Sequence, residues 1–263
     1  MKLIEVDSDK KFGIIQLTVI PVRSAPDDRA EICTQLLFGD LLEVIEEKAE
    51  NWVKIKGVFD GYEGWVDPKQ ITFVSKELFL TYRYAPRVYA LDPVYALHLK
   101  DDSTRLLTFG SFLPFLKGKD MEIDGEMIHY DGKHGSYDMA EMTTVAYQFL
   151  GVPYLWGGKS VMGIDCSGFM QQVFRICGVA LPRDASQQVE AGEKVAYHKQ
   201  QSGDLAFFTN KEGKVIHVGL ILPDHKIIHA HGQVKVSVLD QTGIVDDSET
   251  GYSHYLHVIK RVR

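Results

Sequence analysis

Short apolar runs separated by turn clusters fill the first part of the chain. Ile14 to Ile20 is apolar and largely β-branched, and Pro21 is expected to end it. Ser24-Ala25-Pro26-Asp27-Asp28 is a turn cluster. Ile32 to Phe38 follows, then Gly39-Asp40 as a turn, then Leu41 to Ile45. Trp52 to Lys56 alternates with period two, as a half-buried strand does. Asp60-Gly61 opens another turn before Tyr62 to Val66. Five short strands in about 65 residues predict a small barrel. Leu36-Leu37-Phe38-Gly39-Asp40-Leu41-Leu42 also aligns with Leu107-Thr108-Phe109-Gly110-Ser111-Phe112-Leu113, and each copy precedes an Asp-Gly pair, Asp60-Gly61 and Asp131-Gly132. This faint repeat suggests two related barrels, at 1–75 and 76–135, with chance likeness between two β segments as the alternative.

The pattern changes after residue 135. Met139, Met142, Val145, Ala146, Phe149 and Leu150 share one helical face, and Gly151 and Pro153 stop it. A second helix is expected from Asp165 or Cys166, with Phe169, Met170, Val173, Phe174 and Cys177 inward and Gly178 as its stop. A third is expected at Asp184, where Asp184-x-x-Gln187 reads as a capping box. Strands follow at Leu205–Phe208, Val215–Leu222, Lys226–Ala230 and around Leu256–Ile259. Helices followed by an antiparallel sheet are an α+β pattern for 136–263.

Composition narrows the function. The 263 residues are 45% hydrophobic and 25% charged, an ordinary globular balance. No apolar run is long enough for a transmembrane helix. A net charge of −7 argues against sequence-independent nucleic-acid binding, which needs basic surface. The first 135 residues carry a net −6 and the remainder −1, while seven of ten histidines lie in the remainder. Three cysteines cannot make a disulfide framework and suggest a reducing compartment. Met1 to Phe12 has no apolar core of a secretory signal, so the expected location is cytoplasmic.

Cys166 stands at an expected helix start, where unpaired N–H groups and the helix dipole favour a thiolate. The bland alternative is a small buried hydrophobe. His217 interrupts the apolar strand Val215-Ile216-His217-Val218-Gly219, and a thiol within its reach would make an activated nucleophile. A third group would fix its tautomer. His229 and His231 share a strand face and are equivalent by alternation, so residue spacing leaves the choice open. Zinc by residue type is a weaker fit: only His225 and His229 stand four apart, across a turn and strand. No metal or other cofactor is expected.

Asp165-Cys166-Ser167-Gly168-Phe169, Gly203-Asp204-Leu205-Ala206-Phe207-Phe208, Ile216-His217-Val218-Gly219 and Ile228-His229-Ala230 occur in the order of the NlpC-type cysteine peptidase motifs. Gly151-Val152-Pro153-Tyr154-Leu155-Trp156-Gly157-Gly158 is similar to the loop that precedes the nucleophile there. The front half resembles bacterial SH3-like barrels through Leu36-Leu37-Phe38-Gly39 and Asp60-Gly61-Tyr62-x-Gly64-Trp65-Val66. The resemblance implies a papain-like α+β catalytic domain behind two small all-β SH3-like barrels. It is strongest to enzymes that cut free cell-wall peptides after D-glutamate.

By this likeness Cys166 is the nucleophile, His217 the base and acid, His229 the orienting residue and Tyr154 an aid to the oxyanion. The implied substrate is a short peptide, L-Ala-γ-D-Glu joined to meso-diaminopimelate or L-lysine. Asp184 matches the position that reads the free amine, Ser167 is a further peptide contact, and Tyr62 and Glu31 correspond to residues contributed by the first barrel. Ala185 departs from the pattern where a hydroxyl is expected, with Ser186 one position on. A monomer is implied. The competing readings are a non-catalytic wall-binding protein and an amidase or acyltransferase on the same scaffold.

Overall fold

The computed structural model describes residues 11–48, 52–99, 103–246 and 251–263. Residues 1–10, most of the stretch read as lacking a secretory signal, lie outside the described residues. The chain divides into two compact units, Met1–Ser136 with Lys159–Val161, and Tyr137–Gly158 with Met162–Arg263.

In the first unit, β1 (Phe12–Ile14), β2 (Val19–Arg23), β3 (Ile32–Leu37), β4 (Leu41–Lys48), β5 (Trp52–Gly57), β6 (Glu63–Val66) and β7 (Thr72–Phe73) form one sheet, in the order β3-β2-β6-β5-β4-β1-β7. The run Ile14–Ile20 is thus two strands, and Pro21 lies inside β2 rather than ending it. Proline is tolerated there because β2 meets β6 only at Arg23, so Pro21 faces that neighbour with no ladder bond to lose. Ile15, Ile20, Val22, Leu42, Val44, Ile55 and Val66 fill the interior. Each contributes about 1.5–3 kcal/mol by leaving water. Ile45, out of phase with Leu42 and Val44, faces solvent at a register shift between Val44 and Glu46.

Beyond the sheet, α1 (Lys76–Arg83) is capped by Ser75, whose hydroxyl accepts from the Leu78 N–H at 3.2 Å. A reading of 76–135 as strands alone misses this helix; Phe79 and Tyr82, three apart and both buried, are its signal. Three two-stranded ladders follow: β8 (Tyr89–Ala90) with β13 (His134–Gly135), β9 (Val94–His98) with β10 (Thr104–Thr108), and β11 (Asp120–Ile123) with β12 (Glu126–His129). Their core joins Phe79, Leu97, Leu107, Ile128 and Tyr130 to Ile14, Phe38 and Leu41. The repeated motif has one local geometry in both copies. Gly39 and Gly110 sit at φ +83° and +84°. Asp40 accepts from the Leu37 N–H at 2.9 Å, and Ser111 from the Thr108 N–H at 3.2 Å. The two turns abut, with Phe112 N–H donating to the Phe38 carbonyl at 2.9 Å.

In the second unit, a 3₁₀ turn leads into α2 (Met142–Tyr147), and Gly151 at φ +82° follows. β14 (Lys159–Ser160) and β15 (Gly163–Ile164) form a small hairpin, of which β14 counts with the first unit. Then come α3 (Cys166–Ile176) and α4 (Ala185–Gln188), the latter a single turn. The main sheet comprises β16 (Glu193–Val195), β17 (Leu205–Thr209), β18 (Val215–Leu222), β19 (Lys226–His231), β20 (Gln233–Val238), β21 (Gly243–Val245) and β22 (Tyr252–Arg261). Its order is β16-β22-β17-β18-β19-β20, with β21 on β22, and every described pairing is antiparallel. Every residue of α3 is buried. Phe149, Phe169, Phe174, Phe207 and Val218 are all fully enclosed, and the Phe149 and Phe169 rings lie 5.4 Å apart. No helix among the described residues is long and apolar enough to cross a membrane.

Candidate active site

The start of α3 is held by a buried charge network. Asp165 is the helix cap, and its carboxylate accepts from the Gly168 N–H at 2.7 Å. It also accepts from the Gly157 N–H at 2.9 Å. Arg183 grips it at two points, 3.0 and 2.6 Å. Ser167 Oγ donates to Asp165 at 3.3 Å and accepts from Arg183 at 2.9 Å. Gln188 Nε2 donates to the Ser167 and Pro182 carbonyls at 3.0 and 2.8 Å, fastening α4 to this corner. The spacing of the sequence does not reveal Arg183 or Gln188; an arginine flanked by proline and aspartate reads as surface.

Cys166 is the first residue of α3, buried, with the backbone N–H groups of Val218 and Ser167 directed at its sulfur. Val218 follows His217 in β18, so the helix start meets the strand at the expected pair. Burial pushes the thiol up to about 12, and the Asp165 carboxylate adds to this; the two N–H groups and Arg183 act the other way. The preference of a helix start for a thiolate is thus opposed by the burial of the thiol.

His217 is buried at 4% exposure in an otherwise apolar strand. Its Nε2 lies 2.8 Å from His229 Nδ1, and His229 Nε2 lies 3.1 Å from Ser237 Oγ. Between the two strand histidines the structure thus distinguishes what alternation does not. His229 is fully buried and bonded to His217, whereas His231 is exposed, with its ring centroid 6.5 Å from that of His217. A fourth histidine, absent from the sequence reading, joins them. His254 of β22 stacks on His217 at 4.1 Å and 26°. Burial first, then His254, His229 and His231, holds the His217 imidazole well below its usual range. Burial, His231 and Lys235 bring His254 down to about 4. No signal marks His254 or Ser237 beforehand, since β20 and the start of β22 lie outside the expected strands.

Tyr154 is half-buried in the loop ahead of α3, its N–H donating to the Gly232 carbonyl at 2.9 Å. Burial pushes its phenol up to about 12, and the nearby Cys166 and Asp165 add to that. Asp184 caps α4 in a capping box with Gln187, as its spacing suggests. Glu31 and Tyr62 belong to the first unit. Glu31 is exposed before β3, its carbonyl accepting from Ser24 N–H at 3.0 Å. Tyr62 is half-buried before β6, its N–H donating to Asp60 at 3.0 Å. Among the described residues no His, Cys, Asp and Glu group could hold a metal ion.

Comparison with known proteins agrees with this arrangement. The NlpC/P60 family profile matches residues 151–251, and the bacterial dipeptidyl-peptidase SH3 domain profile matches 22–71. The gamma-D-glutamyl-L-lysine dipeptidyl-peptidase of Bacillus subtilis is 29% identical over 256 residues, spanning 86% of this chain and 84% of that protein. A probable endopeptidase of Haemophilus influenzae is 35% identical over 111 residues, 41% of this chain and 69% of that protein. A crystal structure of an NlpC/P60 protein from Bacillus cereus superposes with a TM-score of 0.82 at 22% identity, over 95% of this chain and 99% of that one, which establishes the fold. With a cysteine at the head of a buried helix and a histidine pair on the facing strands, the chain belongs to the NlpC/P60 family, as a papain-like cysteine peptidase with an N-terminal bacterial SH3 domain.

Proposed function

We propose that this protein hydrolyses the amide bond between a γ-D-glutamyl residue and a diamino acid in short peptides with a free N-terminal L-alanine. Relatives that align over 86% and 81% of this chain are named gamma-D-glutamyl-L-lysine dipeptidyl-peptidases. The observation that carries the mechanism is the relay from His217 through His229 to Ser237. If His217 Nε2–H donates to His229 Nδ1 and His229 Nε2–H to Ser237, then His217 Nδ1 keeps a lone pair for a thiol proton.

In this reading Cys166 passes its proton to His217 as its sulfur bonds to the γ-carbonyl carbon. Tyr154, kept protonated by its raised pKa, donates to the developing oxyanion. The C–N bond then breaks and the departing amine takes the proton from His217. Water, deprotonated by His217, attacks the thioester and frees the acid and the thiol. Burial raises the Cys166 thiol and lowers the His217 imidazole, so it opposes the charged form of each. Asp184 is proposed for the ammonium end of the peptide, and Ser167 as a further peptide contact. Tyr62 and Glu31 are proposed substrate contacts on the strength of the resemblance alone. The proposed domains are 1–75, 76–135 and 136–263. A cytoplasmic monomer acting on free peptides goes with this reading, and none of the three cysteines is in a disulfide.

The test uses L-Ala-γ-D-Glu-diaminopimelate and its N-acetylated form, with the wild type and Cys166→Ala, and products read by mass spectrometry. Release of L-Ala-D-Glu from the free peptide alone, by the wild type alone, supports the reading. Equal cutting of both peptides removes the amine role of Asp184, and cutting of neither removes the peptidase assignment.

A further inference from the structure

His217 is held at one edge by a bond that does not fix its plane. Its Nε2 meets His229 Nδ1 at 2.8 Å, and the two rings stand at 84°. In an imidazole side chain Nε2 lies nearer the axis of the Cβ–Cγ bond than Nδ1 does. A turn about that bond therefore shifts Nδ1 further than Nε2, and a hydrogen bond at Nε2 tolerates a moderate turn. Torsional preference offers little resistance, because the terminal torsion of a histidine is broad. Stopping the turn takes a second contact, on the face of the ring.

His254 supplies that contact. Its ring is stacked on His217, 4.1 Å away and at 26°. It is itself braced: its Nδ1 lies 3.0 Å from Ser253 Oγ, the His231 ring meets it edge-on at 4.9 Å and 90°, and the Phe208 ring at 5.9 Å and 67°.

Register brings His254 to this place. Phe208 of β17 stands opposite His217 of β18 and opposite Leu256 of β22, so the three share a face. His254, two residues before Leu256, shares it too. Against β17, β22 carries one extra residue between the pairs Phe207–Val258 and Phe208–Leu256. An unbroken ladder would set Phe208 opposite His257, and Tyr255 and His257 would take the face that His254 holds. Both of those are exposed, whereas His254 is half-buried.

We propose that His254 is a positioning residue of the reaction: its ring face, stacked on His217, fixes the plane in which Nδ1 meets the Cys166 thiol. This rests on the peptidase reading above, with His217 as its base. His254 exchanges no proton in this role, so another flat ring of similar size serves in its place.

The experiment measures kcat and KM on L-Ala-γ-D-Glu-L-Lys and on L-Ala-γ-D-Glu-diaminopimelate, with thermal midpoints alongside. The proteins are the wild type, His254→Ala, His254→Leu and His254→Phe. His254→Ala is expected to lower kcat by about tenfold to a hundredfold with KM unchanged, the scale of a reacting group out of line. His254→Leu fills the space without a flat face and is expected to be as slow. His254→Phe restores the face and is expected to bring kcat to within about threefold of the wild type. If His254→Ala does not fold, the comparison of His254→Leu with His254→Phe still decides the matter. His254→Leu as fast as His254→Phe overturns the stack in favour of simple packing. His254→Phe as slow as His254→Leu overturns it in favour of chemistry by the imidazole itself. A loss that appears in KM rather than kcat also overturns it. Cutting of neither peptide by the wild type overturns the peptidase reading, and this inference with it.

Discussion

Arg183 and Asp165 form a two-point ion pair at 3.0 and 2.6 Å, with Arg183 1% and Asp165 5% exposed. This pair lies under the first turn of α3 and fixes the residue before Cys166. Removing the cation leaves a buried carboxylate without its partner. Arg183→Leu is expected to cost about 3–5 kcal/mol of stability, seen as a large fall in the thermal midpoint. An unchanged midpoint would show that water takes over the guanidinium's place.

His229 and Ser237 order the proposed base. His229→Ala is expected to lower kcat by about 10²–10⁴ with little change in KM, because the imidazole of His217 loses the contact that selects its tautomer. Ser237→Ala removes only the outer contact and is expected to cost about tenfold or less. Steady-state kinetics on both variants check the order; a larger loss from Ser237→Ala contradicts the relay.

Tyr154→Phe keeps the ring and deletes the donor. The expected loss is about 10²–10³ in kcat, the cost of one oxyanion contact. Full activity in this variant would remove Tyr154 as the oxyanion donor.

His254 links acid stability to the site. Its folded pKa is about 4 against an ordinary value of 6.5, so between these values the unfolded chain binds the extra proton. Neutral His254 therefore contributes no penalty above about pH 6.5, and stability falls as the pH drops towards 4. Partial exposure limits the loss to on the order of 2 kcal/mol. His254→Phe retains a stacked ring and is expected to flatten this limb of the stability–pH curve, as read by denaturant melts from pH 4 to 7. An equally steep limb in the variant assigns the acid sensitivity elsewhere.

Much of this was legible in the chain before folding. Period two and the turn clusters gave the first barrel's strands, and helical spacing gave the run from Met139 and the helix from Cys166. Gly39 and Gly110 marked a repeat whose turns share one geometry. The errors have local causes. Pro21 reads as a strand end, yet β2 has little to bond on that side. The helix at Lys76–Arg83 was hidden in a segment read as strands, although Phe79 and Tyr82 carry its period.

Cys166 and His217 stood out because a helix start and an apolar strand are places where such residues are conspicuous. Local pattern, which depends only on neighbours a few positions away, determined that much. The choice of His229 over His231, the stack of His254 on His217 and the Arg183 clamp on Asp165 join residues far apart in the chain. Strand order and register decide these contacts, and the packing of β18 and β19 on α3 helps to set them. That same burial raises the Cys166 thiol and lowers the His217 imidazole. A helix terminus by itself favours a thiolate, but taking the thiol out of water favours its neutral form more strongly.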